Sequence, residues 1–234
     1  MNTAKHSYYL IHEARYKRIL GEIEKITKTV SRLRGNDKMR ILDVGCYPYH
    51  LGAALEKMGH EVWGISSVHE PIQSKRIAIL NIETDPFPYA DNFFDLVVCS
   101  EVLEHLPRSP LPALKEMYRV AKRSGHVLIT TPNISGSIHL ILRLLGHAPV
   151  SADVETNIYH RHNHEYTLGE LSGVVTTAGW RVTRAVHFIS YHPFRRRNRT
   201  DNPLLWTGKF ANFLVMSAVP RLRDTLLVIG EKKI

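Results

Sequence analysis

Four stretches of the chain carry side chains able to do chemistry at or just after an apolar run. Ile41-Leu42-Asp43-Val44-Gly45-Cys46 sets one acid inside such a run and closes it with a glycine and a thiol. A glycine at that point lets the backbone come close to a bound molecule. Val62-Trp63-Gly64-Ile65-Ser66-Ser67 ends on two hydroxyls, and Asn81-Ile82-Glu83 offers an amide oxygen as an acceptor. Cys99-Ser100-Glu101-Val102-Leu103-Glu104-His105 is the densest of the four. Its imidazole, His105, is the candidate catalytic group, able to take a proton near neutral pH, and equally a packed neighbour of the site. His160, His162 and His164 alternate beside Arg161, without a Cys partner or an HExxH helix. They are therefore expected to line a substrate mouth, and no metal is expected.

These residues need elements to hold them. Arg40 to Val44, Glu61 to Ile65, Ile77 to Leu80 and Phe94 to Cys99 read as four short strands, the last an unbroken apolar run suited to the centre of a parallel sheet. Leu51 to Met58 and Leu111 to Ala121 read as helices between them. Ser124-Gly125 is expected to turn the chain into a fifth strand, His126 to Thr131. Trp180 to Phe188 and Thr225 to Gly230 complete the set, with helices over Ser135 to Leu145 and Leu168 to Ala178. Strands alternating with helices give βαβ units, and in such sheets ligands bind outside the carboxyl ends of the strands. All four reactive stretches fall there. Ahead of them, residues 8–34 repeat apolar side chains every three or four positions, which predicts an amphipathic helix or helix pair.

The order and spacing go further. Ile41-Leu42-Asp43-Val44-Gly45-Cys46 is followed by Phe87-Pro88-Tyr89-Ala90-Asp91-Asn92-Phe93-Phe94-Asp95-Leu96-Val97-Val98-Cys99-Ser100-Glu101-Val102-Leu103-Glu104-His105-Leu106. Then come Glu116-Met117-Tyr118-Arg119-Val120, Ser124-Gly125 and Ile129-Thr130-Thr131-Pro132-Asn133. This succession resembles the class I S-adenosylmethionine-dependent methyltransferases, the small-molecule branch often labelled type 11. It is strong over residues 38–135 and continues through Asn163-His164-Glu165-Tyr166-Thr167-Leu168, which is similar to that family's "HxxYTxxEL" approach to its penultimate helix. The resemblance implies an α/β Rossmann-like methyltransferase fold, a seven-stranded mostly parallel sheet flanked by helices. It implies S-adenosylmethionine as cofactor, held by Asp43, Gly45, Cys46, Tyr47, Ser66, Asn81, Ile82, Cys99, Ser100 and Glu101. Asp43 would lie near the cationic methionine end, and Cys99, Ser100 and Glu101 near the sulfonium. The implied reaction is methyl transfer to a small-molecule or glycan acceptor, with O-methylation expected.

Three departures bear on that reading. The family's first loop is usually glycine-rich, yet Gly45 is followed by Tyr47, Pro48, Tyr49 and His50, and the two tyrosines are expected to crowd the methionine space. The acid that usually ends the second strand and accepts from both ribose hydroxyls is replaced by Ser66. Losing such a charged contact costs roughly 1.5–3 kcal/mol. The acid that usually meets the adenine amino group is matched by Asn81, whose amide oxygen can still accept. The chain is then either a working methyltransferase with a modified pocket or a degenerate member serving as a non-catalytic binding or structural subunit.

The division expected is a helical cap over residues 1–36 and a methyltransferase-like domain over 37–234, with a lid or insertion around 134–167. A basic and apolar segment covers 195–219, with four arginines among residues 195–199. A net charge of +9 favours an acidic partner, such as phosphate groups or an anionic membrane surface. No RNA-binding module is recognisable, so nucleic acid is disfavoured. Residues 204–219 are too short and too mixed for a membrane span, leaving a core-covering helix or a peripheral membrane contact as readings. Cys46 and Cys99 lack metal-ligand spacing and are expected to be buried thiols in a reducing cytoplasm. The N-terminus lacks the apolar core of a signal peptide.

Overall fold

The structure is a computed structural model and describes residues 3–35, 37–68, 74, 76–144, 146, 162–191 and 203–233. Its strands are β1 (Arg40–Val44), β2 (Glu61–Ser66), β3 (Ile77–Ile79), β4 (Phe94–Ser100), β5 (Ala121–Pro132), β6 (Trp180–Phe188) and β7 (Thr225–Lys232). Its helices are α1 (Thr3–Arg34), α2 (His50–Lys57), α3 (Leu111–Val120), α4 (Ser137–Leu144), α5 (Leu168–Thr177) and α6 (Pro203–Ala218). The strands form one sheet in the order β3-β2-β1-β4-β5-β7-β6. β1 to β5 run parallel, and β7 lies antiparallel between β5 and β6. Chain direction along the sheet reverses between β1 and β4, so their carboxyl ends diverge into a crevice.

Strand periodicity divides the core into two layers. Leu42, Val44, Val97 and Cys99 face α3 and α5, against Leu114, Met117, Leu171 and Val175. Ile41, Leu96 and Val98 face the other way, against α1 and α2. The 8–34 periodicity resolves as one helix, α1, whose stripe of Tyr16, Ile19, Ile23, Ile26 and Val30 is buried on the sheet. Each fully buried isoleucine there contributes about 1.5–3 kcal/mol. This helix is thus a layer of the same core that carries β1 and β4.

One expected turn is something else. Ser124-Gly125 sits inside a continuous β5, with Ser124 in the left-handed region at φ 58° and a register shift opposite Phe94 and Leu96. A side chain at Gly125 would meet the Lys122 carbonyl oxygen at 2.7 Å. The pair forms a bulge, and Ala121 already pairs with Phe94 before it. Nearby, Arg119 binds the carbonyls of Phe87 and Tyr89 together with Asp91 and Glu116, at 2.6–2.9 Å. This guanidinium ties the start of the block from Phe87 to Phe94 to α3, and the N–H groups of Asn92 and Phe93 fix its end by donating to the carbonyls of Arg119 and Val120.

Candidate functional site

The crevice at the carboxyl ends of β1 and β4 gathers charge. Asp43 projects from β1 toward α2, is 3% exposed, and accepts from the Gly52 backbone N–H. Burial pushes its carboxyl up to about 7. Gly45 follows at φ 79°, where a side chain would lie 2.2 Å from Val102 Cγ2. The close approach expected at Gly45 is therefore used by the turn after β4, which packs directly on it. The Gly45 and Cys46 N–H groups both donate to the Ile65 carbonyl, at 2.9 and 3.0 Å. Cys46 contributes a buried thiol that desolvation holds well above the ordinary range, at about 12.

Across the crevice, Glu101 stands at φ 56° just beyond β4. Its Oε1 accepts from Thr130 Oγ1 at 2.9 Å, and its Oε2 lies 3.0 Å from Arg15 Nη1. Arg15 comes from α1 and is itself buried. Ser100 shares a 2.9 Å hydrogen bond with Thr130. Arg15, Asp43, Gly45, Tyr47, Ser100 and Glu101 surround a cavity of about 60 Å³. A wider groove of about 440 Å³, lined by Lys38, His60, Glu61 and Arg76, lies at the amino ends of β1 and β2, the wrong edge for a ligand of such a sheet.

Two expectations about the crevice change. Tyr49 does not crowd it: its ring lies over Gly52 of α2 and its hydroxyl donates to Glu56 at 3.0 Å. Of these two tyrosines, Tyr47 lines the cavity. Cys99 lies fully buried in the α3–α5 layer, so its thiol packs the core on the side of the sheet away from Asp43. At the other end, Ser66 Oγ accepts from the Val68 N–H at 3.0 Å, and Asn81 Oδ1 accepts from the Glu83 N–H at 3.0 Å. Both polar groups are engaged by their own loops. Ile82 is half-buried against the core beside them.

Beyond β4, a single 3-10 turn, Leu103–His105, carries the second cluster. Glu104 is 1% exposed; its Oε2 accepts from Thr131 Oγ1 at 2.9 Å, and its Oε1 has no hydrogen-bond partner. Burial, reinforced by the charge of Glu101, pushes this carboxyl well above the usual range. The His105 side chain is 30% exposed, with Nε2 3.9 Å from Glu104 Oε1. Its ring meets that of His162 edge to face at 5.0 Å. His162 Nδ1 is 2.8 Å from Glu165 Oε1, and His139 Nδ1 is 2.9 Å from Glu165 Oε2. Burial would raise Glu165, but hydrogen bonds from His139 and His162 outweigh it and hold the carboxyl near 2. The segment is pinned by its backbone. The N–H groups of Asn163 and His164 both donate to the Glu104 carbonyl, and Asn163 Nδ2 donates to the His105 carbonyl at 2.7 Å. Immediately after, Thr167 and Glu170 form a capping box that starts α5.

Of the alternating histidines, His162 joins His105, whereas His164 turns out to pair with Glu170 at 2.7 Å, and His160 lies outside the described residues. Sequence reasoning missed Arg15, His139 and Glu165. Arg15 left a signal: it falls four residues before Ile19 on the apolar stripe, and a buried cation needs a partner. His139 and Glu165 left none, because 26 residues separate them in the chain.

A family model described as a methyltransferase domain matches residues 13–185. The ubiquinone biosynthesis O-methyltransferase of Alkalilimnicola ehrlichii is 35% identical over 185 residues, covering 73% of this chain and 72% of that protein. The Vibrio cholerae ubiquinone biosynthesis O-methyltransferase is 25% identical over 205 residues, covering 82% and 78%. Among solved structures, a SAM-dependent methyltransferase of Thermotoga maritima aligns with a TM-score of 0.61 at 16% identity, over 98% of this chain and 95% of that one. One from Archaeoglobus fulgidus aligns with a TM-score of 0.56 at 16% identity, over 89% and 94%. The structural likenesses bear on the fold.

Proposed function

Because the chain belongs to the methyltransferase-domain family, as an S-adenosylmethionine-dependent class I methyltransferase, we propose that it methylates an oxygen of a small-molecule acceptor at the carboxyl ends of β1 and β4. The observation that carries this reading is the pairing of a buried acid with a buried cation around one cavity. Asp43 and Arg15 there suit the ammonium and carboxylate of a methionine moiety. These residues fit the cofactor at that end. Gly45, Cys46, Tyr47, Ser100 and Glu101 would complete the wall, with the thiol of Cys99 supporting it from the core. Ser66, Asn81 and Ile82 would meet the adenosine by neutral contacts. When bound, S-adenosylmethionine supplies an electrophilic methyl group on its sulfonium.

What the protein's own residues do is position and exclude. α1 closes the crevice through Arg15, and Tyr47 narrows it, so water is kept from the methyl group. Placing the acceptor oxygen in line is worth many kcal/mol of barrier. The acceptor's proton leaves beside Glu104 and His105, where His105 is exposed enough to receive it. The centre of the lid expected around residues 134–167 lies outside the described residues; its described ends, α4 and 162–167, flank that cluster. A glycan hydroxyl is one acceptor of the right chemistry, and the names of the O-methyltransferase relatives favour an oxygen generally. The free, buried thiols of Cys46 and Cys99 suit a reducing cytoplasm.

Calorimetric titration with S-adenosylhomocysteine tests the cofactor half of this reading, and methyl transfer from S-adenosylmethionine to hydroxylated small molecules tests the other. Saturable heat with one site per chain is expected. No heat at millimolar ligand would return the chain to the non-catalytic alternative.

A peripheral membrane contact through residues 195–219 has one observation in its favour. α4 packs beside α6, and together they expose Leu140, Ile141 and Leu144 with Leu214, Val215 and Val219. Among the described residues no helix is long and apolar enough to cross a membrane. Arg195, Arg196, Arg197 and Arg199 lie outside the described residues. Sedimentation with anionic vesicles that weakens with salt is expected, and negligible sedimentation at low salt would end this contact.

A further inference from the structure

We propose that Glu165 is a positioning residue for methyl transfer, fixing the imidazole of His162 so that its Nε2 faces the acceptor oxygen and takes its proton. This role rests on the methyl-transfer reading. His105 is exposed enough to receive that proton; His162, on the other side of the same opening, is oriented to receive it. A ring nitrogen of each lies within 4.8 Å of the other. Two nitrogens hydrogen-bonded to one oxygen at about 2.8 Å, with a tetrahedral angle between them, stand about 4.6 Å apart. A single hydroxyl oxygen therefore spans the pair, and the carboxylate behind His162 decides which ring takes the proton.

Burial gives the direction. The Glu165 side chain is 2% exposed, whereas that of His162 is 30% exposed and lies edge to face with His105. Carboxylate, imidazole and crevice thus follow one another outward. Glu165 is held ionised, near 2, so it can only accept. Its Oε1 is 2.8 Å from His162 Nδ1, which must therefore carry the ring's proton and leave Nε2 bare. His105 Nε2 stands 3.9 Å from Glu104 Oε1, beyond hydrogen-bond reach. The backbone around Glu165 is fixed on both sides. Asn163 and His164 donate to the Glu104 carbonyl, the Ile134 N–H donates to the Tyr166 carbonyl at 3.0 Å, and Tyr166 bridges to Asn133 beyond β5. His139 of α4 places Nδ1 2.9 Å from the other carboxylate oxygen. A mere tie between α4 and this segment is served by His139 alone. It gives no reason for a second imidazole on the same carboxylate, turned outward to the crevice.

The proton's path follows. As the acceptor oxygen bonds the methyl carbon, the carbon–sulfur bond breaks and its electron pair stays on sulfur. The hydroxyl proton moves to His162 Nε2. The imidazolium so formed is stabilised by the carboxylate on its other nitrogen. The exposed edge of His162 then releases the proton to solvent.

The test reads the ring itself. The full chain, carrying isotope-labelled histidine, is examined by long-range proton–nitrogen magnetic resonance well above the ordinary imidazole pKa of about 6.5. His162→Gln assigns the signal. His162 should carry its proton on Nδ1, and Glu165→Leu should lose that preference, while His164→Gln should leave it unchanged. Thermal melts accompany each variant, and if Glu165→Leu does not fold, the tautomer of the parent decides. A proton on Nε2 in the parent, or an unchanged tautomer in folded Glu165→Leu, overturns the role. For any hydroxylated small molecule that the parent methylates, Glu165→Gln should lower kcat about 100-fold, the low end of what a positioned base contributes, with KM and S-adenosylhomocysteine affinity within about threefold. Unchanged kcat in folded Glu165→Gln also overturns it. S-adenosylhomocysteine titrated into the parent separates the two failures. Binding with the wrong tautomer removes only the role of Glu165; no binding with the proton on Nδ1 removes the methyl-transfer reading and leaves the orientation of His162 standing.

Discussion

At the β1–β4 end of the crevice, Asp43, Arg15 and Glu101 carry charge that folding has taken out of water, whereas at the β2–β3 end Ser66 and Asn81 spend their polar atoms on their own loops. The first end is built from three separate elements, α1, β1 and the turn after β4, so its geometry depends on the whole fold. The second is local, each side chain bonding a backbone group two residues away. The contrast teaches where cofactor affinity should reside. Desolvated charges discriminate strongly for a partner of opposite sign, while a hydroxyl and an amide already satisfied have little left to give.

The largest effect should come from Arg15→Ala. It strands Glu101 as an unpaired carboxylate among buried neighbours, and removing one member of such a pair costs about 3–5 kcal/mol. Urea denaturation should show that loss. The double variant Arg15→Met with Glu101→Gln should regain most of it, since replacing both charges removes the stranded one. If the single variant is as stable as the parent, α1 does not close the crevice in the way described.

Next in size is the response to Asp43→Asn, which keeps the shape and removes the charge. Affinity for S-adenosylhomocysteine should fall about 100-fold, the scale of a lost charge-assisted hydrogen bond in a dry site. The same group sets a pH dependence. Its native pKa, about 7, is raised above the ordinary 3.8, so between those values the native state holds a proton that the unfolded state has released. Stability from this group is therefore complete below pH 3.8 and is lost as pH rises through 7. Pairing with an ammonium needs the ionised form, so ligand affinity should rise roughly fivefold between pH 6 and 7 and level off near pH 8, about tenfold above its value at pH 6. Asp43→Asn should be flat over the same range. A pH-independent parent would show that Asp43 does not meet the ammonium.

The β2–β3 end should respond least. Ser66→Asp restores a carboxylate at the ribose position and should tighten binding by no more than about tenfold, within the worth of one such hydrogen bond. Asn81→Ala should change it by less than about threefold, because its oxygen serves the turn at Glu83. A large loss in Asn81→Ala would reverse the ranking of the two ends.

Much of this was legible beforehand, and the reason is strand geometry. Apolar runs mark strands and parallel strands put ligands at their carboxyl ends, which singled out the segments that hold Asp43, Gly45, Ser100 and Glu101; the expectation that these residues meet the cofactor came from the family resemblance. The seven strands and the helices followed for the same reason. What stayed hidden depended on contacts between distant segments. Arg15 reaches Glu101 across 86 residues, and His139, His162 and Glu165 meet Glu104 and His105 only after α4 and α5 have packed. The hidden part also includes where a flexible side chain turns. Tyr49 could point into the crevice or back over Gly52, and only packing against α2 decides it. Ser124-Gly125 has the same composition whether it ends a helix or bulges a strand; pairing of Ala121 with Phe94 selects the bulge.

The buried charges at the carboxyl ends of β1 and β4 should bind the methionine end of the cofactor. Calorimetric titration of S-adenosylhomocysteine into the parent and into Asp43→Asn at pH 8, with thermal melts to confirm folding, tests it most directly. The prediction is one saturable site in the parent and an affinity about 100-fold weaker in the variant. Equal affinity in two folded proteins, or no binding by the parent, would contradict it.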